Sequence, residues 1–221
     1  MREGDLTEFY SLLGRLGSPR RLFGATGRDG WPTHGVYFFF EDGELRADGT
    51  PRVVRVGTHG LAITSRTRLW QRLAQHRGTL KGGGNHRASI FRRHVGTALI
   101  SRDHPPGPLL DAWTGARRLP EWAAAESAIE REVSDHIGRM PFRWLSVPTG
   151  ADGTSLRGAI ERNSIALLSN LRGAPDRPSR TWLGHHALSD KVRASGLWNV
   201  NHVDEDYDPA FLESFRALAD G

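Results

Sequence analysis

The chain has 221 residues and a formal net charge of +5, from 30 basic and 25 acidic side chains. That length reads as a single domain over 1–221, with 38% hydrophobic residues, seven Trp and nine Phe to fill its core. The absence of cysteine excludes disulfides and thiolate zinc sites and makes a reducing cytoplasm the expected setting. The longest apolar run, Val36 to Phe40, is far too short to span a bilayer, so no membrane partner is expected. Met1 to Asp5 has no apolar stretch of signal-peptide type. All basic residues but Lys81 and Lys191 are Arg. Arg grips phosphate with a planar fork of donors, which suits a nucleic-acid partner; a GC-rich genome produces the same bias without function.

Helical spacing of Leu6, Phe9, Tyr10 and Leu13 predicts a first helix that stops at Gly17-Ser18-Pro19. Two aromatic and β-branched runs follow, Gly35 to Phe40 and Arg52 to Thr58. Gly, Asp and Pro between Glu41 and Pro51 make them a hairpin with a long loop. Capping candidates Thr64 to Thr67 open a helix over Arg68 to Arg77, closed by Gly78. Gly82-Gly83-Gly84-Asn85 reads as a loop, Ala88 to Ile100 as helical in its first half, and Asp103 to Gly107 as a connection. Glu121 to Ile137 carries one apolar face and is a helix. Phe142 to Val147 alternates and is a strand. The loop Pro148 to Thr154 leads to a long helix from about Ser155 to Leu171. A break at Gly173 to Pro178 precedes a tail with a last helix, Pro209 to Leu218. The economical architecture is α+β, a small three-stranded mixed sheet flanked by helices.

Gly35-Val36-Tyr37 on the first strand and Arg55-Val56-Gly57 on the second are followed by Arg72-Leu73-Ala74-Gln75-His76 on a helix. Glu161 stands one turn into the helix after the third strand. In this order the chain resembles a GIY-YIG endonuclease. The resemblance implies a β-β-α-β-α core at about 33–172, with a helical insertion near 82–138 and a C-terminal extension over 173–221. It implies a metal-dependent nuclease hydrolysing phosphodiesters in DNA, with a restriction or phage-defence role by analogy.

The chemistry explains the residue types. Phosphodiester hydrolysis needs a nucleophile, a cation against developing charge and a donor for the scissile phosphate. Glu161 is the metal candidate, for Mg²⁺ (or Mn²⁺), because Mg²⁺ keeps most of its waters. Arg72 can fork onto phosphate oxygens. Tyr37 can act beside the attacking water; with a solution pKa of about 10 it needs a cationic neighbour, Arg55 or His76. Arg68, Arg72 and His76 share one helix stripe. Arg55 stands where the family carries a second Tyr, and His59 lies two residues past the motif. The family's late Asn has no aligned match; Asn170 is the nearest candidate. His86, Arg87, Arg92 and Arg93 read as a basic patch for phosphate contacts, or equally as a solvated helix face.

Other signals are weaker. Asn85-His86 with His94 is superficially like an HNH nuclease without the frame that motif needs. His185-His186 with Asp190 reads as structural rather than metal-binding. Ser195 to Asn199 reads as buried structure closing the domain, and no phosphate-loop motif for an ATPase is present. DNA is the expected partner, duplex ahead of single-stranded, with a homodimer or protein partner left open. The alternatives are an inactive nucleic-acid-binding module, kept alive by Arg55, and a scaffold subunit using Glu121 to Ile137.

Overall fold

The computed structural model describes residues 2–61, 65–148, 156–173 and 176–220. Thr64, the loop at 149–154 and the expected helix start at Ser155 lie outside these residues. The chain builds a four-stranded antiparallel sheet in the order β1-β4-β2-β3, from Arg20–Arg21, Gly35–Leu45, Pro51–Gly57 and Pro141–Ser146 numbered β1 to β4. The helices are α1 (Arg2–Arg15), α2 (Leu69–Arg77), α3 (Ile90–Asp103), α4 (Pro108–Thr114), α5 (Ala123–Arg139), α6 (Leu156–Leu168), α7 (Asp190–Ser195) and α8 (Phe211–Ala219). Among the described residues no helix is long and apolar enough to cross a membrane.

The alternation of β2 organises the whole molecule. Val36, Phe38 and Phe40 join one buried cluster with residues of α1, α6 and α8. Tyr37 and Phe39 join a second cluster with residues of α2, α3 and α5. Residues on successive strand positions point to opposite faces, so a central strand covered on both sides is apolar throughout. Phe38 and Phe39 are each fully buried, which contributes about 1.5–3 kcal/mol apiece.

Several expectations need correction. The sheet is antiparallel rather than mixed, and it has a fourth strand, the two-residue β1 beside the start of β4. β4 runs antiparallel to the first half of β2, with Phe142 opposite Phe39 and Ser146 opposite Gly35. The first hairpin strand continues through Glu41 to Leu45. Its charges do not break it, because Glu44 pairs with buried Arg52 at 2.6 Å and Glu41 accepts from the indoles of Trp182 and Trp198. α3 runs its full length to Asp103, capped by the Ser89 side chain and buried through Val95 to Ile100. α6 stops at Leu168, where Ser169 turns extended and caps a short 3-10 turn.

The tail covers the open edge of β3. Trp198 N–H donates to the Val54 carbonyl at 2.7 Å, and Arg52 and Arg55 donate to the carbonyls of Gly196 and Trp198. Asn199 takes both backbone groups of Val56, accepting at 3.1 Å and donating at 2.8 Å. An edge strand otherwise exposes such groups to stray pairing.

Candidate active site

The glycines of the two strand motifs are set by packing. A side chain at Gly35 would meet the Leu145 carbonyl at 2.5 Å, so β4 could not approach. A side chain at Gly57 would meet the Tyr37 hydroxyl at 2.3 Å. Gly57 lies opposite Tyr37 in the β2–β3 register and leaves the space in which the Tyr37 ring lies.

That ring ends on α2. Tyr37 Oη and His76 Nε2 are 2.8 Å apart, and His76 Nδ1 is 2.9 Å from Ser89 Oγ. Burial, followed by the charges of Arg55, Arg72 and Arg92, holds His76 well below the usual imidazole value. The neutral ring has one donor and one acceptor. Ser89 Oγ also accepts from the Arg92 N–H; with Nδ1–H given to Ser89, Nε2 accepts from the Tyr37 phenol. Tyr37 therefore sits beside a neutral imidazole, and its cationic neighbour is Arg55.

Glu161, in the first half of α6, faces the C-terminal end of β3. Its Oε1 accepts from Thr58 N–H at 3.1 Å, and the Thr58 hydroxyl donates to the Gly35 carbonyl at 2.8 Å. Burial pushes the carboxyl above its usual range, against the opposing pull of Arg55, the Thr58 N–H, His202 and Arg72. A cation would relieve that cost. One half-buried carboxylate suits an ion that keeps most of its waters, and no group of three His or carboxylate ligands forms among the described residues. The donor set fits Mg²⁺ or Mn²⁺ and does not fit a closed zinc site.

Arg72 is half-buried and donates to a neutral partner, Gln75 Oε1, at 3.1 Å. Arg55 is buried. It donates to the Trp198 carbonyl at 2.6 Å and lies 4.5 Å from the centre of the Phe91 ring. Burial lowers its pKa, and Tyr37 and Glu161 oppose the shift. Arg55 thus gives one donor to the tail and acts on Tyr37, by charge and a side-chain hydrogen bond, and on Glu161 by charge. His59 Nδ1–H donates to the Thr67 carbonyl at 2.7 Å, its ring stacks on His34, and burial lowers it to about 4. Its buried Nε2 has no hydrogen-bond partner among the described residues.

A family model of the GIY-YIG domain matches residues 1–221. The chain belongs to the GIY-YIG family. No curated protein and no solved structure matches it. Membership supports a nuclease-type activity, and GIY-YIG nucleases generally depend on a divalent metal.

The structure brings Tyr37, Arg55, Arg72, His76 and Glu161 of this GIY-YIG chain into one electrostatic cluster. Arg68 is exposed at the start of α2. Other expected residues are elsewhere. Asn170 lies past the end of α6, in the 3-10 turn after Ser169, and donates to the Asp176 carbonyl. Arg92 is wholly buried, bound to Glu130 and to the His76 carbonyl. Arg87 grips Glu126 at 2.6 Å, and Arg93 donates to the Thr114 carbonyl. Arg87 and Arg92 thus form an internal network, their guanidiniums claimed by carboxylates on α5, and Arg93 is tied to a carbonyl. His86 belongs to the network, stacked on Trp113 and 2.8 Å from Glu130, which removes the HNH reading.

Three residues outside the expectations also build the site. Ser89 orients His76, Thr58 holds Glu161, and Asn199 holds the strand between them. Ser89 had a readable signal, as a helix-capping Ser. The other two make contacts across 103 and 143 residues of chain, which no local pattern announces.

Proposed function

We propose that this GIY-YIG protein is a divalent-metal-dependent endonuclease that hydrolyses phosphodiester bonds in DNA, duplex ahead of single-stranded. The observation that carries the reading is the 2.8 Å contact between Tyr37 and neutral His76, in one cluster with Glu161 and Arg72. Glu161 holds Mg²⁺ or Mn²⁺, whose charge offsets that of the attacked phosphate. Arg72 directs its fork at the non-bridging oxygens. Tyr37 takes a proton from the attacking water as it gives its own to His76 Nε2. Ser89 keeps the imidazole in the tautomer that can accept it. Arg55, standing where the family carries a second Tyr, supports negative charge on Tyr37. Restriction or phage defence is the biological role we attach to this activity.

The test incubates labelled duplex and single-stranded DNA with the protein in Mg²⁺, Mn²⁺ or EDTA, beside Glu161→Ala. Cleavage should require the metal and be lost in the variant. Equal cleavage by wild type and Glu161→Ala would sink the metal assignment. A second reading, nucleic-acid binding without hydrolysis, is favoured by one observation: Tyr37 and His76 are both fully buried. Binding without cleavage on every substrate and metal would select it.

A further inference from the structure

His202 is the one non-glycine residue with positive φ among the described residues, at 63°. A β-carbon makes this left-handed region costly, on the order of 1 kcal/mol or more, and such strain collects at functional sites. Nothing in the strand and helix motifs involves this residue. Its position follows from the edge of β3. Gly196, Trp198 and Asn199 bond in succession to residues 52, 54 and 56, so the tail runs alongside β3 in the same direction. His202 follows Asn199, which is bonded to Val56, by three residues, and its partner Glu205 is 2.5 Å from Arg162, the residue after Glu161. The tail thus brings His202 between β3 and the part of α6 that carries Glu161.

The ring is also held from behind. His202 Nδ1 lies 2.8 Å from Glu205 Oε1, and Glu205 is fixed in turn by Arg162, the neighbour of Glu161. A carboxylate can only accept, so Nδ1 carries a proton, and in the neutral tautomer of the ring Nε2 has the lone pair a metal would take. The ring makes no other hydrogen bond among the described residues, and the side chain is 33% exposed. Metal-binding histidines show this arrangement, one nitrogen given to a carboxylate and the other left for the ion.

We infer that His202 is a second protein ligand, through Nε2, for the divalent ion held by Glu161, with Glu205 as its positioning residue. The inference rests on the metal-dependent reading above. It gives the site one oxygen and one nitrogen donor, and a nitrogen donor favours Mn²⁺ over the harder Mg²⁺.

The probe is Mn²⁺ added to the full chain without DNA. Electron spin echo spectra of bound Mn²⁺ should carry modulation from directly bound ¹⁴N, absent in His202→Gly, whose affinity should fall about tenfold or more; Glu205→Gln should weaken binding in the same direction. Glycine accepts positive φ freely, so His202→Gly should melt no earlier than wild type. If it melts earlier, His202→Asn, which tolerates the same backbone region, takes its place. Bound Mn²⁺ without nitrogen modulation, or modulation that survives at position 202, overturns the inference and leaves Glu161 intact. Mn²⁺ binding untouched by Glu161→Gln overturns the metal reading itself. A wild type that binds no Mn²⁺ overturns both.

Discussion

Arg92 on α3 and Arg72 on α2 both bear on His76, and they do so under opposite conditions. Arg92 is fully buried, donates to the His76 carbonyl, and is matched by Glu130 and Ser134. Around it Arg87 is matched by Glu126 and His86 by Glu130. Arg72 is half-buried, faces the like charge of Arg55, and has Glu161 as the nearby carboxylate that responds to it. The α3–α5 region closes its own electrostatics, and the α2–β3–α6 region leaves positive charge over. A region of the second kind is completed by an anion from outside, so the type of residue says less than whether its partner is already present.

The comparison breaks first, if at all, at Arg92. Arg92→Ala strands Glu130 in the interior, and breaking a buried pair costs about 3–5 kcal/mol. Urea unfolding should show that loss, with activity falling only as the folded fraction falls. A variant of wild-type stability that no longer cleaves DNA would place Arg92 with the site instead. Arg72→Ala should behave in the opposite way. Its melting temperature should stay near wild type, while kcat falls about 10²–10³-fold, as for removal of one donor to a charged transition state. Arg72→Lys should recover little, because a point charge cannot replace the fork. A large stability loss in Arg72→Ala with normal cleavage would erase the contrast.

A smaller effect is expected at the seam between the regions. Asn199→Ala leaves both backbone groups of Val56 unpaired, which costs about 1–3 kcal/mol for each buried group left unsatisfied. Hydrogen exchange at the Val56 amide should speed up well before global unfolding. Protection unchanged from wild type would mean that the tail does not hold β3.

Much of this arrangement was legible in the chain, for reasons that are local. The hairpin showed because aromatic and β-branched residues stop at turn-forming Gly and Asp. Arg72 and His76 showed because four residues of helix put them on one stripe. What was not legible depends on long-range partners. Nothing near Arg87 or Arg92 in sequence tells that Glu126 and Glu130, on another helix, will neutralise them. Spacing points to Asn170 as the late Asn, while the Asn that grips the motif strand is Asn199, supplied by the tail. The second half of α3 was missed because its residues are buried on nearly all sides and carry no polar stripe.

The smallest expected effect concerns pH and turns on opposite signs. Glu161 is pushed up by burial. A group whose folded pKa is raised contributes stability fully present below its unfolded pKa and lost as pH rises through the folded one. His76 is pushed well below 6.5, and His59 and His94 from 6.5 to about 4. For these lowered bases the unfolded chain takes protons first, so stability is lost as pH falls from 6.5 toward about 4. Glu161→Gln keeps an oxygen for the Thr58 N–H and removes the charge. It should be inactive, yet slightly more stable than wild type at pH 8, with the gain disappearing in acid where Glu161 is protonated. The histidine-driven loss should be the same in both proteins, because the substitution leaves all three rings in place. Urea midpoints at pH 8 and pH 4.5 measure both effects. A Glu161→Gln protein less stable than wild type at pH 8 would mean that this carboxylate is held by its own neighbours, as Glu130 is, and that the two regions follow one rule.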